Sequence, residues 1–383
     1  MKKVVIIGAG ISGLFFANLL RLNSEYEIII YEKNNSVNLE KGYGVQLSVN
    51  SIKLLNKIGF KNLNSQDKFN PNKIDFYSLK NKKKICDLDI SIFNENDLKY
   101  TTLQRSTLIK FLKDKLPNNL INYNKTVVKV DESLDKIKIN LKDNSHIECD
   151  YLIVSDGVFS STKKMILKKE IKPNYSNSIA IRATIDQNSL ANIDYSNISL
   201  FLGSDLHSVI YPINQNNEFN FISILKKNFK EYEFDNHSTF KDKKFISSII
   251  TEISKQIDQN IIKNLNNIRI FPIFTSKEIL YPKNKNILLI GDAFFAFPPG
   301  FAQGTSQALE VAFELYKNLN NDRNEFNNKR IKRVKMINKK SNLNYFAFHL
   351  SNPITVFIRN IIIKYLVKNN KFLNSYLGKI YKN

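Results

Sequence analysis

The chain has 383 residues, 43% of them hydrophobic and 24% charged, and a formal net charge of +22. That length and composition suit a globular protein with a substantial core, one large α/β domain or two interleaved ones, and exclude a disordered or fibrous chain. The lysines are scattered rather than gathered in one block and no nucleic-acid motif accompanies them, so nucleic acid is not an expected partner.

No run approaches the ~18 consecutive apolar residues that a membrane-spanning helix requires. Cys86 and Cys149 lack metal-ligand spacing, and His146, His207, His237 and His349 are dispersed. No metal is therefore expected, and a reduced, cytoplasmic setting is.

Lys3–Ile7 reads as a short buried strand, followed by a tight turn and a helix from about Ile11 to Leu22. A second strand, YEIIIYEK, ends in Glu32. Gly8, Gly10 and Gly13 make G-x-G-x-x-G in the turn between them. The first allows the turn, the second lets a pyrophosphate approach the backbone, and the third permits close packing of helix on strand. The helix start offers unpaired N–H groups and a positive dipole end to phosphates. Glu32, about 20 residues on, is placed to accept the hydroxyls of an adenosine ribose. This pattern predicts an ADP-containing dinucleotide and leaves NAD and FAD both open. A functional glycine as early as Gly8 leaves no room for a removable presequence, so the mature chain is expected to start at Met1.

A later apolar strand, Tyr151–Val154, ends in Asp156–Gly157. From about Asn174 to Pro282 the pattern changes to alternation with polar turns, which predicts an antiparallel sheet. Within it, His207 and Tyr211 are four residues apart and share one strand face. Arg182 is suited either to an anionic ligand or to a salt bridge. Another apolar strand, Ile287–Ile290, ends in Gly291–Asp292, then passes a turn rich in Pro and Phe into a helix starting near Gln303. A carboxylate at the carboxyl end of a buried strand is where open α/β sheets hold ligands, and an NAD-dependent dehydrogenase has no need of this late one.

The tail begins with a basic helix, DRNEFNNKRIKRVKMINKKSNLNYFAF. After Pro353, apolar residues Ile354, Phe357, Ile358, Ile361, Ile362 and Tyr365 recur at helical spacing. Packing on the protein's own core is the expectation for this stripe, with peripheral contact to an anionic membrane as the alternative.

Together these stretches resemble, over nearly the whole chain, the FAD-dependent aromatic hydroxylases of the p-hydroxybenzoate and salicylate hydroxylase type, with the ubiquinone-pathway hydroxylases as relatives. Gly8, Gly10, Gly13 and Glu32 match the family's ADP-binding motif. Asp156, Gly157 and Ser160 match its D-G motif, and Gly291, Asp292, Pro299, Gln303 and Gly304 its late G-D motif. Gly44, Gln46 and Asn50, and separately Arg105, resemble two further stretches that flank the flavin.

The fold so implied is α/β: a Rossmann-like FAD-binding domain with an inserted, mostly antiparallel β-sheet substrate domain and C-terminal helices. Expected boundaries are 1–173 for the first part of the FAD-binding domain, with an excursion around 65–100 joining the substrate side. The substrate domain follows at 174–282, and the second FAD-binding part at 283–383.

The resemblance implies FAD as cofactor and NADH or NADPH as co-substrate. O₂ and a small aromatic molecule (a phenol, salicylate-like compound or quinone precursor) complete the reaction, hydroxylation through a flavin C4a-hydroperoxide. It implies that Asp292 bonds a ribityl hydroxyl, that the Pro299 turn passes beside the isoalloxazine, and that Gln303, Gly304 and Thr305 open the helix aimed at the pyrimidine end of the flavin. It gives His207 and Tyr211 the substrate pocket, where either is suited to assist phenol deprotonation. Phe294, Phe295 and Phe297 are expected to line that pocket, with packing on the flavin as the alternative. A monomer or homodimer is expected.

The chain departs from the family pattern at Lys163, where an Arg is usual, and at Phe294–Phe295, where Ala-His is. Ala302 stands for Gly, Ser306 for Asn and Val311 for Asp. Lys163 bears on the choice of reductant, because an ammonium lacks the bidentate fork of a guanidinium. Two rival functions share the fold: an FAD-dependent reductase or dehydrogenase acting on an isoprenoid or other alkene, and a flavin-binding scaffold subunit without turnover.

Overall fold

The computed structural model describes residues 1–382 apart from 38, 40–42, 134–135, 191–192, 230–238 and 321–322. His237, and Gly42 of the Gly44 stretch, lie outside the described residues. In chain order, the elements that position the site begin with β1 (Lys2–Ile7), α1 (Ile11–Leu20), β2 (Tyr26–Tyr31) and α2 (Val49–Asn56). Next come β3 (Lys73–Ser78), β4 (Lys84–Asp89), α3 (Arg105–Asp114), β5 (Ile121–Asn122), β6 (Tyr151–Val154) and α4 (Ser161–Leu167). A run of strands follows: β7 (Asn174–Asp186), β8 (Ile198–Leu202), β9 (Leu206–Pro212), β10 (Glu218–Lys226), β11 (Asn266–Thr275) and β12 (Ile287–Leu289). The chain closes with α5 (Gly304–Lys317), α6 (Arg323–Phe348) and α7 (Pro353–Leu366).

Five strands form a parallel sheet in the order β12-β6-β1-β2-β5. Its central strands are apolar without alternation because both faces are covered, and every residue of β6 is buried. A second sheet of seven strands runs β11-β7-β10-β9-β8-β3-β4. It is antiparallel except where β8 pairs parallel with β3, so residues 73–89 extend the sheet built from 174–275.

Strand β12 stops at Leu289, and Gly291–Phe294 makes one helical turn. The break has a local cause. Gly291 has φ +59°, and a Cβ there would lie 2.4 Å from Ser12 Oγ, so only glycine lets the chain turn against α1.

Helix α6 is basic in sequence yet turns two arginines inward. Arg330 is 1% exposed and Arg333 is buried, both donating to Glu310 of α5, at 2.8 Å from Arg330 and 2.6 and 2.9 Å from Arg333. Burial alone would raise the Glu310 carboxyl, but the two guanidinia outweigh it and hold it below the usual carboxylate range.

The stripe on α7 departs from the expectation that it packs on a core. Ile354, Phe357, Ile358, Ile361, Ile362 and Tyr365 are all exposed. The helix rests on the sheet edge at β4 and buries Arg359, whose guanidinium donates to Ala347 O at 3.2 Å. Among the described residues no helix is long and apolar enough to cross a membrane.

Candidate functional site

The carboxyl ends of β1, β2 and β6 converge on a cleft of about 260 Å³ lined by Gly8, Gly10, Glu32, Arg105, Asp156 and Gly157, among others. A Cβ on Gly13 would come within 2.2 Å of Gly8 O, so this glycine serves helix-on-strand packing. Gly10 is different: nothing lies within 4 Å of where its Cβ would be. The same holds at Gly157 and Gly304, so three motif glycines border open space that a ligand would fill. Helix α1 has no capping side chain and no acid in its first turn, which leaves its N–H groups and dipole to a ligand.

Glu32 is held in place by protein donors. Its Oε2 accepts from Ala9 N at 2.9 Å, and Oε1 accepts from Asn34 N at 3.0 Å and Asn34 Nδ2 at 2.7 Å. Oε2, with a single donor, keeps acceptor capacity for a hydroxyl. Asp156 Oδ2 accepts from Thr162 N at 3.3 Å, whereas its Oδ1 is buried with no protein partner, an acceptor that awaits a donor. Ser160 of the D-G motif caps α4, its Oγ accepting from Lys163 N at 2.9 Å, so its place in the motif has a local folding reason.

Lys163 is buried and donates from Nζ to Ala293 O at 2.9 Å. It therefore ties the D-G helix to the turn after Gly291, and burial lowers its ammonium pKa. The single carbonyl it meets needs no bidentate fork, which accounts for Lys in place of Arg.

Asp292 is exposed although much protein lies around its carboxyl, as expected on the wall of an open slot. Burial raises its carboxyl pKa, with Arg105 pulling partly back. Arg105 and Arg182 share this region, and each guanidinium is destabilised first by burial, Arg105 further by Arg182. Arg182 is stacked over Tyr43, 5.3 Å from guanidinium carbon to ring centre, and no carboxylate of the described residues pairs with it. Among the described residues Arg182 thus forms no salt bridge.

Gln303 is buried and donates to Ser48 Oγ at 3.3 Å, while Gly304 and Thr305 open α5 at the surface of the slot with no side-chain cap. Ala302 sits at φ +49°, left-handed backbone that disfavours any residue with a Cβ. The glycine usual there would carry no such strain.

Pro299, Gly300, Phe301 and Ala302 also line a second cavity, about 560 Å³ and overwhelmingly apolar, between the seven-stranded sheet and helices α6 and α7. His207 lines it. Tyr211 lies on the same strand face but does not reach it: it packs beside Gln46 and against Gly44, and burial pushes its phenol pKa up. Phe294 and Phe295 also differ from expectation. They are buried in the core of the parallel-sheet layer, Phe294 against Tyr281 and Phe295 against Phe297, because the helical turn points them inward. The phenylalanines that line the cavity are instead Phe76, Phe301, Phe346, Phe348 and Phe372, beside Tyr100, Tyr376 and Tyr381.

One partner had no signal in the sequence. His349, at the end of α6, places Nε2 3.1 Å from His207 Nδ1 and Nδ1 2.7 Å from Tyr345 O. His349 Nε2 faces a second carbonyl, Ile224 O at 3.2 Å, as well as His207 Nδ1, and burial lowers the pKa of both imidazoles. His207, held through Nδ1 in this contact, turns its ring to the cavity.

A Rossmann-type parallel sheet with three glycine- and acid-bearing strand ends, joined to a sheet-backed apolar cavity, defines a dinucleotide-binding protein with a separate ligand chamber. The chain matches the FAD binding domain family over residues 1–329 and belongs to it, and the open glycines and the unpartnered Asp156 oxygen fit FAD as its cofactor. It is 23% identical over 330 residues to 6-hydroxynicotinate 3-monooxygenase of Bordetella bronchiseptica, covering 82% of this chain and 81% of that protein. With the salicylate hydroxylase of Pseudomonas putida it shares 21% over 344 residues, 85% and 78% of the two chains. Among solved structures, Klebsiella pneumoniae HpxO complexed with FAD and uric acid has the same fold, with a TM-score of 0.82, 17% identity and coverage of 98% and 97%. A salicylate hydroxylase substrate complex superposes with a TM-score of 0.78 at 17% identity, covering 100% of this chain and 95% of that one.

Proposed function

We propose that this protein hydroxylates an electron-rich aromatic ring, consuming O₂ and NADH or NADPH and releasing water with the oxidised nicotinamide. One adjacency carries the reading most: the Pro299–Ala302 turn that leads into the uncapped start of α5 is also a wall of the apolar cavity. A ring bound there lies beside the same turn that the cofactor motif contributes. The curated relatives named above, monooxygenases and hydroxylases of aromatic acids, support the same class.

FAD would be held by Gly8, Gly10, Gly13 and Glu32 at its ADP half, with Asp156, Gly157 and Arg105 along the cleft and Gly291, Asp292, Gln303, Gly304 and Thr305 toward α5. When bound and reduced by the nicotinamide, it supplies the activated oxygen. The N–H groups opening α5 stabilise negative charge at that end without a titratable side chain. His207 is the candidate base for the proton of a phenolic hydroxyl, its ring held in place by the contact of Nδ1 with His349. Tyr211 and Arg182 stand behind the wall and beside the slot, positions suited to orienting rather than to proton transfer. The apolar lining excludes water from the reacting ring. The protein acts as a monomer or homodimer, and the exposed face of α7 favours contact with a lipid surface.

The test uses FAD-loaded protein mixed with NADH or NADPH and a panel of phenols, salicylates and quinone precursors. One class of aromatic is expected to accelerate nicotinamide oxidation and O₂ uptake together and to yield a product heavier by one oxygen. Electrons passing to the ligand without O₂ uptake would make the protein a reductase. No nicotinamide oxidation with any ligand would make it a scaffold.

A further inference from the structure

Helix α7 is apolar on two faces. Ile358, Ile362 and Leu366 form part of the cavity wall. Ile354, Phe357, Ile361 and Tyr365, at the helical spacing of one stripe, lie outside that wall and are 70%, 67%, 52% and 69% exposed. Leu343 and Phe346 of α6 both line the cavity and reach the surface, 56% and 64% exposed, so the chamber opens beside this stripe. A contiguous apolar patch of this kind is not left uncovered on a protein that meets only water.

Charge decides what covers it. No acidic residue follows Glu325 in the chain, whereas Lys364, Lys368 and Lys371 are exposed on α7 and just beyond it. A second copy of the chain would bring one positive rim against another. An anionic bilayer matches both the apolar stripe and the rim. The chamber's size points the same way: about 150 Å³ suffices for one benzene-sized ring, and this cavity of about 560 Å³ has room for an apolar substituent as well.

We propose that α7 lies on the surface of an anionic phospholipid bilayer and that an aromatic substrate with an apolar tail enters the chamber from the lipid beside it. The identity of the substrate as an aromatic rests on the hydroxylase reading; the docking does not. The FAD-loaded full-length protein is tested by co-sedimentation with vesicles of phosphatidylcholine alone and of phosphatidylcholine with phosphatidylglycerol. Binding on the order of tenfold stronger to the anionic vesicles is expected, weakening with added salt.

Phe357→Glu with Ile361→Glu, on the outer stripe, should abolish binding while leaving the melting temperature and flavin absorbance as in the parent. In parallel, flavin fluorescence should report on the order of tenfold tighter binding of a long-chain 4-alkylphenol than of phenol. No preference for anionic vesicles would overturn the docking. So would self-association that the same two substitutions abolish, because the stripe would then be an interface between copies. Equal affinity for the two phenols would overturn the tail. Vesicle and alkylphenol binding without hydroxylation of any phenol would keep this proposal and sink the hydroxylase reading.

Discussion

Glu310→Gln tests whether the buried charge cluster behind α5 sets the stability of the site. The carboxylate accepts from Arg330 Nη1 at 2.8 Å and from Arg333 Nε and Nη2 at 2.6 and 2.9 Å, and also from Gln307 and Asn50 at 3.0 and 3.2 Å. Removing its charge leaves two buried guanidinia with Glu314 alone, which meets Arg330 at 3.4 Å and whose own carboxyl is raised by burial. Breaking a buried pair from one side costs about 3–5 kcal/mol, since an uncompensated charge stays behind. At roughly 2.1 cal/mol/K of unfolding entropy per residue, a chain of this length shifts by about 1 °C per kcal/mol, so Tm should fall by roughly 4–6 °C. Glu314→Gln is the control: it removes one long contact of a carboxyl that burial already raises toward its neutral form, and should shift Tm by about 1 °C or less. Differential scanning fluorimetry reads both, and flavin release on heating should follow the Glu310 variant, because α5 is the element being held. Equal shifts for the two variants would refute the reasoning, since the cluster would then not be organised around Glu310.

Gly10→Val should leave the Tm of the cofactor-free protein within about 1 °C, because a Cβ there meets nothing and the backbone, at φ −81°, accepts any residue. FAD retention through gel filtration should nonetheless drop at least tenfold, as the new methyls enter the space kept for pyrophosphate; a lowered Tm with normal FAD content would show that the glycine serves the fold. Ala302→Gly should stabilise by about 0.5–1 kcal/mol, the relief of a left-handed Cβ less the extra freedom of glycine in the unfolded chain, read from chemical denaturation. His207 and His349 have folded pKa values lowered by burial, so the unfolded chain binds more protons below its own pKa near 6.5. Stability should therefore be full above about pH 6.5 and fall as pH drops below it, by up to about 1.4 kcal/mol per pH unit for each histidine. His207→Gln should flatten that slope in urea titrations run from pH 7 to pH 5, and an unchanged slope would show that the pair is not buried as a neutral unit.

Where function depended on a few consecutive residues, the sequence was readable. The turn bearing Gly8, Gly10 and Gly13 and the strand leading to Glu32 are local structures, and their backbone chemistry is written in the spacing. What escaped was set by topology. Glu310 and the arginines of KRIKRVK look like ordinary helix-surface charges until α5 and α6 pack face to face. His349 meets His207 across 142 residues of chain, and no periodicity links them. Phe294 and Phe295 follow a strand end that faces the cofactor, so the turn invited a pocket reading, yet the positive φ at Gly291 rotates both into the core. The stripe on α7 shows the general reason. Hydrophobic periodicity states which side of a helix avoids water, and it is silent on what provides the cover. Core was the reasonable expectation, because in a chain of this size most apolar stripes are covered by the chain itself. Here nothing among the described residues covers it. The same helix walls the chamber with its other side, so whatever covers Phe357 and Ile361 lies a helix diameter, about 10 Å, from the cavity where the ring would bind. At that distance the partner of the stripe and the source of the substrate are most simply the same phase.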